Sequence, residues 1–183
     1  MAEAQPGWAA EILYFWFEEL GPDHWFSASQ AIDDAIRITF EPLLLAMHGE
    51  PPDRFLTGPG TALAAIILFD QFPRNLYRHQ AGAFAHDGLA RAIANGVIDR
   101  AWVGSLPEVQ RQFVGMPLMH SELPSDQEAS LAFFAAYAPE NLPFAHSHHE
   151  MIARFGRFPH RNAALGRSTT REEQRAIDAG FSW

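Results

Sequence analysis

The stretch Leu63-Ala-Ala-Ile-Ile-Leu-Phe-Asp-Gln-Phe-Pro-Arg-Asn75 constrains this chain more than any other. An apolar helical run there meets an acid, a proline, an arginine and an asparagine within six residues. A helix that is apolar nearly all round belongs at the centre of a fold. A carboxylate at the end of such a run is costly to bury unless a cation or several donors meet it. A related tract, Arg157-Phe-Pro-His-Arg-Asn162, supplies guanidiniums and an amide. The two tracts read as halves of one polar centre, with Asp70 answered by Arg74, Arg157 or Arg161.

Around that run the chain reads as helix after helix. Trp8, Ile12, Phe15/Trp16 and Glu19 set a three-to-four spacing that Gly21-Pro22 stops. Ser29 is placed to cap a second helix with the stripe Ile32, Ile36, Phe40, Leu43/Leu44 and Met47, kinked at Pro42. A helix over residues 62–72 is capped by Thr61 and ended by Pro73. One over residues 83–95 is closed by Gly96, and one from Ser105 runs to about Gly115, where Met116-Pro117 breaks it into a bend over residues 118–122. Ser125-Asp-Gln-Glu128 is a capping box for residues 126–138. Asn141 and Pro143 open a helix with the stripe Phe144, His148, Met151/Ile152 and Phe155, which Gly156 ends; Thr170 with Glu173 caps a last one to Ala179. No convincing alternating strand appears. The expected architecture is one all-α domain of about eight helices, stacked as antiparallel pairs.

Composition narrows what such a domain does. The 183 residues carry 13 Lys+Arg against 22 Asp+Glu, a formal charge of −9. That balance argues against nucleic acid and against anionic membranes as partners. All 13 of these cations are arginine, whose planar fork suits carboxylate or phosphate, so a local anion site is compatible with an acidic protein. There is no cysteine, hence no disulfide, no thiolate nucleophile and no Cys-ligated metal. The N-terminus lacks a basic region and no stretch approaches the roughly 18 apolar residues of a membrane span. The expectation is a soluble, cytoplasmic protein.

Candidate chemistry falls on a few polar residues. Asp70 is placed at the negative end of its helix, where a neighbour must compensate it; it is either a structural ion-pair partner or the group that orients an arginine or histidine toward a ligand. His148 lies on an apolar stripe and should face inward, whereas His146 and His149 fall off it. Their His-x-His-His spacing is a weak metal signal, and no metal or cofactor is expected. His120, Ser121 and Glu122 put an imidazole, a hydroxyl and a carboxylate on one bend, suited to acid–base work or to a hydrogen-bonded turn. Consecutive residues do not make a nucleophilic triad. Arg157, His160, Arg161 and Asn162 would accept a phosphate or carboxylate through charge-assisted bonds, or satisfy helix carbonyls and Asp70.

The segments Ile12-Leu-Tyr-Phe-Trp-Phe17, Asp70-Gln-Phe-Pro-Arg-Asn75, Ala83-Phe-Ala-His-Asp87, Met116-Pro-Leu-Met-His-Ser-Glu122 and Arg154-Phe-Gly-Arg-Phe-Pro-His-Arg-Asn162 resemble the bacterial domain-of-unknown-function family nine-two-four. They occur in the family's order across residues 9–178. The resemblance implies an all-helical, tetratricopeptide-like α-α superhelix and no settled activity. It implies motif positions at Asp70, Arg74, Asn75, His120, Glu122, His148, Arg157, His160, Arg161 and Asn162. The chain departs from the pattern at Gly115 and Leu123, where relatives tend to carry an aromatic residue and an acid.

Two functions compete on this reading. In the first, the two tracts, the His120 bend and His148 line one pocket for a small anionic molecule. Asp70, Arg74, Asn75, Arg157, Arg161 and Asn162 bind it, and His120, His148 or His160 moves a proton, tuned by Glu122 or Asp70. In the second, a concave helical groove binds a protein or peptide, preferably basic, and the motif residues lock the stack. Trp25, Phe26, Phe181 and Trp183 could instead form a homodimer surface.

Overall fold

Why the central run is buried is visible in the elements that surround it. The structure, a computed structural model, describes residues 7–181; the Trp183 of the expected aromatic surface lies outside them. All regular structure among the described residues is helical. The helices are α1 (Trp8–Tyr14), α2 (Pro22–Trp25), α3 (Gln30–Met47), α4 (Pro59–Ile66), α5 (Phe72–Leu76), α6 (Asp87–Asp99), α7 (Glu108–Met119), α8 (Pro124–Tyr137), α9 (Leu142–Phe155) and α10 (Arg171–Asp178). None is long and apolar enough to cross a membrane.

Every residue from Ala62 to Phe69 is fully buried, because α4 is enclosed by α1, α6 and α7. The leucine, isoleucine and phenylalanine side chains of that run each contribute about 1.5–3 kcal/mol by leaving water, which outweighs any local preference. From α6 to α9 each helix packs on the next in chain order. The contacts of α4 with α1 and α7 go beyond nearest neighbours, so the N-terminal half wraps a central helix. A smaller core of Met151, Ile152, Phe158 and Ala176 seats the C-terminal tract.

Pro73 does not end the central helix as its sequence suggests. The chain makes a π-helical turn over Ile67–Gln71, with the Phe72 N–H donating to the Ile67 carbonyl, and continues directly into α5. The wider turn delivers Pro73 to the first turn of α5, where a missing N–H is tolerated. Asp70 therefore lies inside a continuous helical path, and Arg74 remains one turn beyond it on the same side.

Pro117 likewise sits within α7, which runs on to Met119. The end of that helix is held by Gln127 of α8, fully buried, whose amide N–H donates to the carbonyls of Met119 (2.8 Å) and Ser121 (2.7 Å). Carbonyls left without partners at a helix end are thereby satisfied from a neighbour. The box expected at Ser125 is replaced by this contact, since α8 starts at Pro124 with no side-chain cap. Gly96 is no helix stop either: α6 passes through it to Asp99. A Cβ there would meet Leu56 at 2.4 Å, so this glycine serves close packing. The capping box at Thr170 and Glu173 forms as expected, with both bonds present.

Gly115 lets α7 and α8 approach. A Cβ on it would lie 2.5 Å from the buried Phe133 ring and 2.9 Å from Phe134. The aromatic residue of the family pattern has no room at this position, because Phe133 fills the space from α8. Gly115→Ala should therefore destabilise the fold by about 1–3 kcal/mol through overpacking, measured as a lower urea midpoint with an unchanged slope; an unshifted midpoint would contradict this packing.

Candidate functional site

Asp70, delivered by the π turn and fully buried, gathers three neighbours. His120, at the end of α7, directs Nδ1 to its carboxylate at 2.8 and 3.0 Å. Gln71 donates Nε2 at 2.6 Å. Arg74 approaches Oδ1 at 3.2 Å. Burial alone would raise the Asp70 carboxyl, but the charge of Arg74 and the bonds from His120 and Gln71 outweigh it and hold it well below the usual carboxylate range.

Asp70 is thus answered by its own helix and by α7, and not by Arg157 or Arg161. The second tract arrives by way of Asp87, the first residue of α6. Arg74 binds both Asp87 oxygens, at 3.0 and 3.1 Å, and Arg161 reaches the same carboxylate at 3.3 Å. Arg161 is buried, its guanidinium 4.4 Å from the Phe84 ring centroid and 4.6 Å from that of Phe158. Burial, then the nearby Arg74 charge, push it down to about 10, still protonated at neutral pH. The row Asp70, Arg74, Asp87, Arg161 alternates in sign, which is how two guanidiniums share a buried space.

His120 is held below its ordinary value chiefly by burial and also by Arg74, against the pull of Asp70. It is neutral at pH 7, so Nδ1–H donates to Asp70 and Nε2 carries the lone pair. That second nitrogen has no bonding partner among the described residues. His148 lies 6.0 Å away between ring centroids, with its Nδ1 2.8 Å from the Phe144 carbonyl. Burial, and then His120, push His148 down to about 3; burial and Arg161 do the same to His160.

The other expected site residues belong to the packed network behind. Glu122 does not touch His120. It accepts the Phe158 N–H at 2.8 Å and both Nη groups of Arg167 at 2.8 and 3.0 Å, a latch between α7 and the second tract. Arg157 pairs with Glu173 at 2.6 and 3.0 Å, and Asn162 donates to Thr169 at 3.3 Å. None of Glu122, Arg157, His160, Arg161 and Asn162 lines the cavity that opens beside His120.

That cavity, about 410 Å³, is bounded on one side by Trp25, Phe26, Met116, Met119 and Phe144, and on the other by Gln71, Arg74, Asn75, Arg78, His120 and His148. Its size is that of a small-molecule site. Trp25 is anchored by its indole N–H on the Trp16 carbonyl at 2.6 Å and by Phe113 edge-on at 4.9 Å. The expected inward residue Phe144 is 54% exposed and forms cavity wall. Among the described residues no carboxylate lines the cavity, in a chain of formal charge −9: Asp33, Asp70 and Asp87 all stand behind the cations they hold. Sequence reasoning missed Arg78, Asp33, Gln71, Arg167 and the bridging role of Asp87. Of these only Asp33 left a signal, as an acid on the buried stripe of α3 with Ile36, Phe40 and Leu44. No group of three or more His, Asp or Glu among the described residues is arranged to hold a metal ion.

The fold is all-helical. The chain belongs to the family described as bacterial protein of unknown function (DUF924), whose model matches residues 12–180. It is similar to the solved structure of the protein of unknown function ATU0120 from Agrobacterium tumefaciens, with 35% identity over 97% of this chain and 100% of that one and a TM-score of 0.90. No functionally curated protein matches it.

Stability should depend on acid in a set direction. The unfolded chain protonates His148 and His160 near pH 6.5, whereas the native protein resists until about pH 3. Stability contributed by their neutral forms is complete above the unfolded value and is lost as pH falls between those limits. Asp70, also depressed, adds a loss below about pH 4. Urea titrations from pH 7 to 4 should show falling stability, and His148→Gln should flatten the slope by about 1.4 kcal/mol per pH unit; an equal slope in that variant would contradict the assignment.

Proposed function

We propose that this protein binds a small anionic molecule in the cavity beside His120, and that His120 exchanges a proton with it. One observation carries the reading: the Nδ1 of His120 is held at 2.8 Å by a buried carboxylate while its ring lines the cavity. A carboxylate on one imidazole nitrogen fixes the tautomer and supports positive charge on the ring, which is what a general base needs at its other nitrogen. Asp70 is then a positioning residue, and Nε2 of His120 is the group that meets substrate. Cations on the wall, with their carboxylates behind, favour an anion over a cation. The apolar wall asks for a ligand with a hydrocarbon part.

A second reading rests on the open groove of about 490 Å³ that adjoins the cavity through Trp25, Phe26 and Asn141 and carries Glu108, Glu140 and Val109. Its exposed carboxylates and apolar floor would suit a basic peptide, as an interaction module of stacked helices requires.

Histidine-selective nitrogen NMR at pH 7 tests the first reading. His120 should show a protonated Nδ1 and a bare Nε2. Adding butanoate, hexanoate or octanoate should shift its resonances, with affinity that rises as falling pH protonates the ring, below the ordinary histidine range because burial depresses it, since the imidazolium attracts the anion. His120→Asn should remove that pH dependence. If none of the three acids perturbs His120 at millimolar concentration, the small-anion reading fails and the groove becomes the better candidate.

A further inference from the structure

Two arginines line the cavity, and their hydrogen bonds distinguish them. Arg74 has its fork closed by Asp87, with Nη1 also on the Asp70 carbonyl. Arg78 gives Nε and Nη2 to Asp33, at 2.7 and 2.8 Å, and its Nη1 bonds nothing among the described residues. The Asp33 carboxylate, mostly buried on α3, also takes the Asn75 amide N–H at 2.9 Å. Gln71 likewise gives its N–H to Asp70.

An amide whose nitrogen is committed to a carboxylate directs its oxygen elsewhere. Neither Gln71 Oε1 nor Asn75 Oδ1 has a donor among the described residues, and both side chains line the cavity. The polar wall therefore offers a cationic donor edge at Arg78, two amide acceptors, and the lone pair of His120. A bare fatty acid matches only the first of these. A carboxylate matched to the whole set carries a hydroxyl or N–H beside it, to meet the amide oxygens and the base.

Resting on the reading of the cavity as an anion site, we propose that its ligand is a carboxylic acid with an adjacent hydroxyl or N–H and a short apolar body, and that Arg78, positioned by Asp33, anchors its carboxylate. The neighbouring O–H or N–H donates to Gln71 and Asn75, within range of proton transfer to Nε2 of His120. The hydrocarbon body lies against Met116, Met119 and Phe144. Arg78 is the specificity-determining residue, because removing it abolishes the preference for charge and leaves the apolar wall intact. Asp33 acts through it.

Calorimetric titration of the full chain with 2-hydroxyhexanoate, hexanoate, hexane-1,2-diol and hexylamine tests this. The hydroxy acid should bind tightest, hexanoate about tenfold weaker for the lost bonds, the diol weaker still, and the amine not at all. Arg78→Ala should weaken the hydroxy acid by tenfold or more and leave the diol unchanged, and Asp33→Asn, which also releases Asn75, should weaken the hydroxy acid by tenfold or more. Arg78→Lys should restore part of the acid affinity. Unchanged acid affinity in Arg78→Ala, with His120 resonances still shifting, would overturn Arg78 as anchor while the anion site stands. Equal binding of hexanoate and the hydroxy acid would overturn the adjacent donor. Silence from both acids, in heat and in the His120 spectrum, would overturn this proposal and the anion site together.

Discussion

The bond between the Asp70 carboxylate and Nδ1 of His120 is the contact on which the rest of this structure turns. It joins the central helical path to the end of α7 through a fully buried charge, and a charge in that position persists only when several partners meet it. Arg74, Gln71 and His120 do so together. Each of those residues is consequently immobilised, and three of the polar groups lining the cavity are set by one acid.

The same device recurs. Asp33 fixes Asn75 and Arg78, and Asp87 fixes Arg74 and Arg161. Three carboxylates stand behind a layer of cations and amides, so the acidic chain keeps its negative charge behind the groups that face the cavity. Packing supplies the opposite wall: Trp25 sits there because Phe17 and Phe113 meet its ring edge to face and the Trp16 carbonyl accepts its indole N–H. Gly96 and Gly115 let Leu56 and Phe133 pack where a Cβ would otherwise stand.

Much of the fold was legible. The apolar run at residues 63–69 demanded a central helix, and the stripe on α9 turned His148 inward. The proline rules misjudged two helix ends, at Pro73 and Pro117. In the first a π turn shifted the proline to a tolerated position; in the second Gln127 satisfied the carbonyls from another helix. Both remedies come from tertiary packing, which local propensity does not encode.

Read alone, the chain determined that it would be all-helical, that its centre would hold Asp70, and that arginines would have to answer buried acid, because hydrophobic periodicity and the cost of an unpaired charge are local facts. Which arginine answers which acid was decided only in three dimensions. Asp87 and Asp33 are far from their partners in sequence, and nothing in spacing says that Arg161 meets Asp87, that Glu122 meets Arg167, or that Arg78 keeps an edge toward a cavity. Those pairings follow from where α3, α6 and the second tract are forced to lie once the apolar core has closed.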